Sequence, residues 1–236
     1  MRAVILAGGR GTRLAPYTYV LPKPMMPIGD KAILEILLRQ MKRAGINHVV
    51  LTVGHLAGLM RAFFQDGQQY DLNITYSYEA TPLGTAGPLA LVPNLDKTFM
   101  VSNGDVLTLL DFNDFINFHH QQGGICSIAM HKHKVHIDLG VVEQNNGDYV
   151  ITGYVEKPTL DYRVSMGVYI FEPRVLDYIP KNEYLDFPDL VKTLLANGER
   201  VIGYPFNGYW RDLGNPGDYT QACLDFDQMR SQFLPE

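Results

Sequence analysis

Hydrophobic residues occur in short blocks along the chain, and these blocks follow two different spacings. In the first half, continuous or alternating apolar runs typical of β-strands cover residues 2–6, 48–53, 74–78 and 98–102. Between them, apolar residues recur at the three- and four-residue spacing of helices, at residues 32–44, 56–64 and 84–92. Strands that alternate with helices in this way predict β-α-β units and a mostly parallel sheet with helices on both faces.

The second half of the chain is richer in strand-like segments. Its apolar and alternating runs predict strands at residues 127–131, 140–143, 150–154 and 165–171, and helices at residues 190–196 and 219–228. The 236 residues contain no repeat, linker or low-complexity tract. We therefore expect a single domain, residues 1–236, in which a half of about residues 1–110 and a half of about 111–236 share one core.

Composition and charge exclude several classes of protein. Hydrophobic residues make up 46% of the chain and the formal net charge is −5, so neither a nucleic acid nor a membrane is expected as a partner. The two cysteines, Cys126 and Cys223, form no disulfide framework or Cys-x-x-Cys pattern. The sequence shows no signal-peptide layout and no apolar run near the roughly 20 residues that span a bilayer, so a cytoplasmic location is expected.

A glycine-rich segment follows the first predicted strand and reads Gly8-Gly9-Arg10-Gly11-Thr12-Arg13. Glycines at the end of a strand expose backbone N–H groups that can bind phosphate oxygens. The spacing is neither the G-x-G-x-x-G of dinucleotide folds nor the G-x-x-x-x-G-K-[ST] of P-loops. Two cations, Arg13 and Lys23, follow closely and could neutralise a polyphosphate, so the segment predicts another kind of nucleotide chemistry.

The string G-G-x-G-T-R-L, followed by Pro22-Lys23-Pro24, resembles the sugar-1-phosphate nucleotidyltransferases. The resemblance extends from residue 1 to about residue 226 and implies a Rossmann-like three-layer α/β/α fold with a mixed, mostly parallel central sheet. It also implies that Arg13 clamps phosphate oxygens and that Lys23 contacts the α phosphate or the pyrophosphate leaving group, both as catalytic residues. The implied nucleotide-binding residues of this segment are Leu6, Ala7, Gly8, Gly9, Gly11, Thr12 and Arg13.

A second block, residues 78–87, bears on the nucleobase. In this family the residue at Glu79 reads the base edge, Gly84 lets the backbone approach the base, and Pro82 and Thr85 complete the nucleotide site. An ionised glutamate only accepts hydrogen bonds, and guanine offers two adjacent N–H donors, so Glu79 favours GTP. The stretch PLGTAGPLAL also looks like mannose-1-phosphate guanylyltransferases. The alternative for Glu79 is an ordinary surface or helix-capping glutamate.

Two carboxylates are candidates for a metal site. Asp105 follows a buried strand in Asn103-Gly104-Asp105, and Asp212 lies in the later segment YWRDLG. Carboxylate oxygens at a strand end suit Mg²⁺, and the family has its metal ligands at these two positions; Asn103 and Gly104 would contact the nucleotide. A competing pair, Asp111 and Asp114, is better explained as the first residues of a helix.

The resemblance assigns a third block to the sugar 1-phosphate. A lysine at Lys157 would neutralise the attacking phosphate, and Glu156 would bind sugar hydroxyls. Gly140 would let the sugar approach the backbone. Ser165 and Gly167 stand where the family often has Asn-x-Gly, and the serine departs from that pattern. The histidine-rich segments at 119–120 and 131–136 lack the spacing of a metal site, and surface histidines are predicted instead.

Together these blocks predict an enzyme that condenses an NTP with a sugar 1-phosphate, releasing pyrophosphate, with Mg²⁺ as cofactor. GTP with mannose 1-phosphate or a manno-heptose 1-phosphate is the preferred substrate pair, and synthesis of UDP-glucose, or of a dTDP- or CDP-sugar, is the alternative. A nucleotide-sugar-sensing subunit without activity is the alternative of another class. The oligomeric state stays open, with a homo-oligomer among the options.

Overall fold

The computed structural model describes residues 1–145, 147 and 149–235. The strands in chain order are β1 (Arg2–Leu6), β2 (Pro27–Ile28), β3 (Lys31–Ala32), β4 (His48–Val53), β5 (Asn73–Tyr78), β6 (Phe99–Asn103), β7 (Val106–Thr108), β8 (Cys126–His136), β9 (Val141–Gln144), β10 (Ile151–Val155), β11 (Thr159–Phe171), β12 (Val201–Phe206) and β13 (Trp210–Asp212). The α-helices are α1 (Ile33–Arg43), α2 (Ala57–Phe64), α3 (Phe112–Gln122), α4 (Phe187–Ala196) and α5 (Pro216–Phe233). Short 3₁₀ turns cover Thr12–Leu14, Tyr17–Tyr19, Lys23–Met25, Gln68–Tyr70, Gly87–Leu91 and Pro173–Tyr178.

The centre of the fold is a seven-stranded mixed sheet in the order β12-β8-β11-β6-β1-β4-β5. Strand β1 pairs in parallel with β4 and β6, and β5 continues the parallel part. Strand β11 is antiparallel to both β6 and β8. The sheet therefore runs from one half of the chain into the other, and the predicted fold class, a mixed and mostly parallel sheet in an α/β fold, is confirmed.

Alternate residues of the central strands are buried on opposite faces of the sheet, as strand geometry requires. On β1, Ala3 and Ile5 pack towards α1, α2 and α3. Val4 packs on the other face, towards α4 and the 3₁₀ turn Gly87–Leu91. A third cluster joins α5 to the first turn of α1 and to Leu213. Helices thus cover both faces and leave the carboxyl ends of β1, β4 and β6 at one open edge.

The helix predicted at residues 84–92 is wrong, since only a 3₁₀ turn, Gly87–Leu91, forms there. The N–H groups of Ala86 and Gly87 both donate to the carbonyl of Leu185, at 2.8 and 3.0 Å. Gly84 has φ +78, which an α-helix does not contain. The left-handed backbone of Gly84 and the attachment of Ala86 and Gly87 to Leu185 therefore set a chain path that differs from an α-helix.

Strands β9 and β10 form a separate two-stranded ribbon between β8 and β11 in the chain. We call the arm this ribbon together with the segments that lead into and out of it, residues 132–140 and 156–163. Within these segments, residues 132–136 of β8 and 159–163 of β11 pair with each other beyond the end of β12. No helix within the described residues is both long and apolar enough to cross a membrane.

Candidate active site

The glycine-rich loop begins where β1 ends and lies at the carboxyl edge of the sheet. A side chain at Gly8 would be crowded, because its Cβ would lie 2.5 Å from Glu79 Oε1. Gly11 has φ +62, and its Cβ would lie 2.9 Å from Thr18 Cγ2. Glycine at these two positions lets the backbone turn tightly and lets Glu79 approach it.

The loop forms one wall of a cleft of about 680 Å³. Of the residues predicted to bind nucleotide or act in catalysis, the lining includes Leu6, Ala7, Gly8, Gly9, Gly11, Thr12, Arg13, Lys23, Glu79, Pro82, Gly84, Thr85, Asn103 and Asp105. Gly104 lies beside the wall instead, where its N–H donates to the carbonyl of Leu6 at 3.0 Å. Residues that are scattered over the first half of the sequence therefore converge on one cavity.

Four charged side chains lie close together at the end of this cleft. Arg13, Lys23 and Asp105 line it, and Asp212, which is not one of the lining residues, lies beside them. The ammonium of Lys23 forms an ion pair with Asp105 and lies 3.8 Å from Asp212 Oδ1. The guanidinium of Arg13 and the carboxylate of Asp212 both lie 3.1 Å from the point that a Cβ on Gly214 would occupy, so Gly214 leaves them room to meet. Burial and the neighbouring Asp105 carboxylate raise the pKa of Asp212, while Lys23 and Arg13 oppose the shift.

A short antiparallel ribbon brings the two aspartates together. Strand β13 pairs with β7, and Asp212 stands opposite Val106, which directly follows Asp105. Arg211 fastens this ribbon to α5, since its guanidinium lies 3.1 Å from Asp218 and 3.3 Å from Asp225. The backbone of the ribbon, rather than a flexible loop, therefore sets the separation of the carboxylates.

Glu79 directly follows β5, where its N–H donates to the carbonyl of Val53 at 3.0 Å. Its side chain is half-buried, and Oε2 accepts the N–H of Leu83 at 3.2 Å. Burial raises the pKa of the Glu79 carboxyl, and the hydrogen bond from Leu83 opposes this. Glu79 is on the wall of the cleft rather than on an open surface, and one of its oxygens lies against Gly8.

The segment 183–187 closes the cleft beside Glu79, and sequence reasoning missed it. Tyr184 and Asp186 both line the cleft. Asp186 Oδ1 accepts the backbone N–H of Thr85 at 2.9 Å and its hydroxyl at 3.1 Å. Both donors of Thr85 are thus used within the protein. The two partners are 101 positions apart, and no local motif connects them. Further lining residues that were not predicted are Arg10, Pro24, Thr52, Gly54, His55, Ala80 and Pro88.

The residues predicted for the sugar phosphate fall into two groups. Gly167 has φ +73 and packs against Asn103, whose Nδ2 would lie 2.5 Å from a Cβ, and Ser165 accepts the Gly167 N–H at 3.3 Å. These two residues occupy a bulge of β11 next to the cleft.

Gly140, Glu156 and Lys157 belong to the base of the arm. Glu156 accepts the hydroxyl of Tyr154 at 2.9 Å, and that hydroxyl packs closely against Gly140. Lys157 has φ +44 and forms a 2.8 Å ion pair with Asp138. Among the described residues these three make their contacts on the arm, and none of them lines the 680 Å³ cleft.

The prediction of surface histidines is wrong for His119. Its side chain is 1% exposed, with Nδ1 2.6 Å from Ser127 Oγ and Nε2 3.0 Å from Glu172. The described part of the chain contains no group of three His, Cys, Asp or Glu side chains arranged for a metal. Asp111, by contrast, caps α3 by accepting the N–H groups of Asn113 and Asp114, as predicted.

A sequence model of the family described as nucleotidyl transferase matches residues 2–228. The chain belongs to this family. It is 36% identical to a mannose-1-phosphate guanyltransferase of Schizosaccharomyces pombe over 98% of its own length and 66% of the relative's. A mannose-1-phosphate guanylyltransferase of Mycobacterium tuberculosis is 35% identical, over 94% of this chain and 64% of that one.

A UTP–glucose-1-phosphate uridylyltransferase of Synechocystis is also 35% identical, over 94% of this chain and 62% of that protein. The chain therefore spans less than two thirds of the length of each of these three relatives. Among solved structures, HddC from Yersinia pseudotuberculosis has a TM-score of 0.73 at 25% identity, over 95% of this chain and 99% of that one. The three sequence relatives thus differ in the nucleotide that their names specify, and the solved structure has the same fold as this chain.

Proposed function

We propose that this chain transfers the nucleotidyl group of GTP to mannose 1-phosphate or a manno-heptose 1-phosphate, releasing pyrophosphate. The observation that carries the proposal is the meeting of Arg13, Lys23, Asp105 and Asp212 at the end of the glycine-lined cleft. Two cations and two carboxylates beside a loop of free backbone N–H groups suit a triphosphate and a divalent cation. Membership of the nucleotidyl transferase family supports the same reaction class.

The chemistry follows from this arrangement. An oxygen of the sugar phosphate attacks the α phosphorus, a new P–O bond forms, and the bond to the β phosphate breaks as pyrophosphate leaves with the electron pair. The attacking oxygen is already anionic at neutral pH, so no general base is needed. Arg13 and Lys23 would lower the barrier by neutralising charge on the phosphate oxygens, and the loop would hold the triphosphate in line.

Asp105 and Asp212 fit a Mg²⁺ ion, because both carboxylates lie around the Lys23 ammonium, and burial together with the charge of Asp105 raises the pKa of Asp212. That mutual repulsion of carboxylates is what a divalent cation relieves. When bound there, Mg²⁺ would supply Lewis-acid activation of the α phosphate. Substrate oxygens and waters would complete its coordination, so two protein ligands are sufficient.

GTP is preferred because Glu79 offers carboxylate oxygens on the cleft wall, where the adjacent N1–H and N2–H donors of guanine could reach both. Two relatives at 35–36% identity are named for guanylyl transfer to mannose 1-phosphate, which supports both the base and the sugar. Lys157 and Glu156 on the arm would receive the sugar phosphate, and Ser165 and Gly167 would border it. Closer approach of the arm to the cleft is part of this proposal.

A second candidate is UDP-glucose synthesis, which the 35% identity to the Synechocystis uridylyltransferase favours. The reaction mechanism would be unchanged, and Glu79 would bind uracil instead of guanine. A sensing subunit without activity is less well supported, because Arg13, Lys23, Asp105, Lys157 and Asp212 are all present in the chain.

The test is pyrophosphate release with Mg²⁺ across GTP, UTP, CTP, dTTP and ATP against a panel of hexose and heptose 1-phosphates. We expect turnover with GTP and a manno-configured sugar. Turnover only with UTP or dTTP would keep the reaction and reject the base assignment. Absence of turnover across the whole matrix, with nucleotide binding intact, would favour the sensing subunit.

A further inference from the structure

One aromatic side chain of the cleft has no part in the reaction described so far. Tyr184 lines the cleft together with Glu79, Pro82 and Gly84, although 64% of its surface is exposed. We propose that the Tyr184 ring is a stacking wall for the nucleobase and favours purine over pyrimidine nucleotides. This inference rests on the proposed function, since it requires a nucleotide in the cleft.

The ring is held by its own hydroxyl, which donates to Asp186 Oδ2 at 2.6 Å. The other oxygen of Asp186 accepts two hydrogen bonds from Thr85, at 2.9 Å from the backbone N–H and 3.1 Å from the hydroxyl. One carboxylate therefore connects Tyr184 to the loop that follows Glu79. An exposed tyrosine with a free hydroxyl would sample several rotamers, whereas this one is restrained beside the base-reading residue.

The backbone around Tyr184 is fixed to the same loop. Leu185 donates to the carbonyl of Leu83 at 3.0 Å, and its own carbonyl accepts two N–H groups from the turn. The N–H of Phe187 donates to Thr85 Oγ1 at 2.8 Å. Gly84 makes this approach possible, because a Cβ there would lie 2.5 Å from the carbonyl of Leu185. The wall is thus formed before a ligand arrives, which lowers the entropy cost of binding.

Glu79 and Tyr184 can recognise different parts of the same base. Glu79 can recognise only the edge of a base, through hydrogen bonds, and makes no use of its face. An aromatic ring binds the face of a base, and the two-ring purine offers more overlap than the one-ring pyrimidine. Glu79 would then select guanine by the hydrogen-bond donors on its edge, and Tyr184 would select it by the size of its two-ring face. Asp186 acts as a positioning residue, because its contacts are with Tyr184 and Thr85.

The test measures nucleotide binding alone, by calorimetric titration of GTP and UTP with Mg²⁺ and no sugar phosphate. Tyr184→Ala should weaken GTP binding about tenfold and UTP binding about threefold, from the usual size of base–aromatic stacking. Tyr184→Phe keeps the ring and the backbone contacts of Leu185 that hold it at the wall, and loses only the restraint from the hydroxyl. Its GTP binding should therefore weaken by about twofold, clearly less than in Tyr184→Ala. Tyr149→Ala is the matched control, because Tyr149 is 97% exposed and is not one of the residues that line the cleft.

An unchanged dissociation constant in Tyr184→Ala would overturn the proposal. A Tyr184→Phe variant that loses as much as Tyr184→Ala would assign the effect to the hydroxyl and overturn stacking. Equal losses for GTP and UTP would overturn the purine preference. A wild type that binds GTP but releases no pyrophosphate would reject the proposed function and leave this test valid, whereas a wild type that binds no nucleotide would reject both.

Discussion

At Gly8, the absence of a side chain leaves room for a neighbouring side chain in the cleft. Gly8 lies so close to Glu79 that a Cβ would approach Oε1 to 2.5 Å and Cδ to 3.4 Å. The atom in the way is the end of a flexible side chain, which can rotate, rather than a backbone atom. A methyl group at position 8 would therefore move a carboxylate without unfolding the loop.

We predict that Gly8→Ala raises the KM for the nucleotide about tenfold and reduces the preference among bases, because a displaced Glu79 would lose the hydrogen bonds to the base that we propose for it. The melting temperature should change little. Steady-state kinetics with GTP and UTP, together with thermal melting, test this. Gly58→Ala is the control, since Gly58 has open space in α2. Unchanged base preference in Gly8→Ala would argue against Glu79 as the base reader.

Asp212 illustrates a conflict between function and stability at one residue. Burial and the Asp105 charge raise its pKa in the folded protein, so the folded state binds a proton more readily than the unfolded state. The contribution of this carboxyl to stability therefore falls as pH rises from its unfolded pKa through the raised folded pKa. At neutral pH the ionised Asp212 side chain therefore lowers the free energy of unfolding.

Asp212→Asn should accordingly lower kcat by about 10²-fold or more while leaving the melting temperature at pH 7 equal to or above that of the wild type. Melting curves from pH 4 to pH 7 should show a smaller loss of stability with rising pH in the variant. Lower stability of the variant at pH 7 would mean that the attraction of Asp212 to Lys23 and Arg13 outweighs the cost of burying its charge. Wild-type turnover would remove Asp212 from the catalytic site.

At the scale of elements, the ribbon of β7 and β13 is what brings Asp105 and Asp212 together. Its attachment to α5 depends on Arg211, whose side chain is 28% exposed and contacts both Asp218 and Asp225. Asp225 is only 16% exposed, so loss of the arginine would leave a half-buried carboxylate without its cation.

Arg211→Met, which keeps much of the aliphatic packing, should reduce the free energy of unfolding by about 1–3 kcal/mol and lower kcat more than it raises either KM. Chemical denaturation and kinetics measure the two effects. Lys192→Met, which removes an exposed ion pair with Asp189 on α4, should change neither. If Arg211→Met unfolds more easily yet retains full kcat, the ribbon does not need α5 to position the carboxylates.

At the scale of the whole molecule, prediction from sequence succeeded where neighbours in space are neighbours in the chain. Strand β1, the glycine loop and Arg13 are continuous in the sequence, so the local pattern was sufficient to predict the strand and the position of the loop at its end. Only the family resemblance predicted that Asp212 and Asp105 belong to one site. Tyr184 and Asp186 were missed, because their link to Thr85 depends on backbone contacts of Leu185 that no local spacing encodes. Strands β8 and β11 were predicted only at residues 127–131 and 165–171, because their outer residues, which form part of the arm, are polar and lack a buried face.

The arm also carries the last prediction, which concerns how the two halves divide the substrates. Lys157 is 53% exposed and its ion pair with Asp138, itself 77% exposed, lies at the surface, so this pair adds little stability. Its left-handed φ of +44 is a conformation that proteins tend to keep at functional sites. We expect Lys157→Ala to leave nucleotide binding and the melting temperature unchanged.

The KM for the sugar 1-phosphate should rise by about ten- to a hundredfold in Lys157→Ala, because one charge-assisted contact with the phosphate is lost. Lys132→Ala is a close control, since Lys132 forms a similarly exposed ion pair with Asp161 on the same arm. A variant that weakens nucleotide binding instead would assign Lys157 to the triphosphate. Equal effects of the two substitutions would mean that the arm acts through its general positive charge, and the sugar phosphate would then need another binding residue.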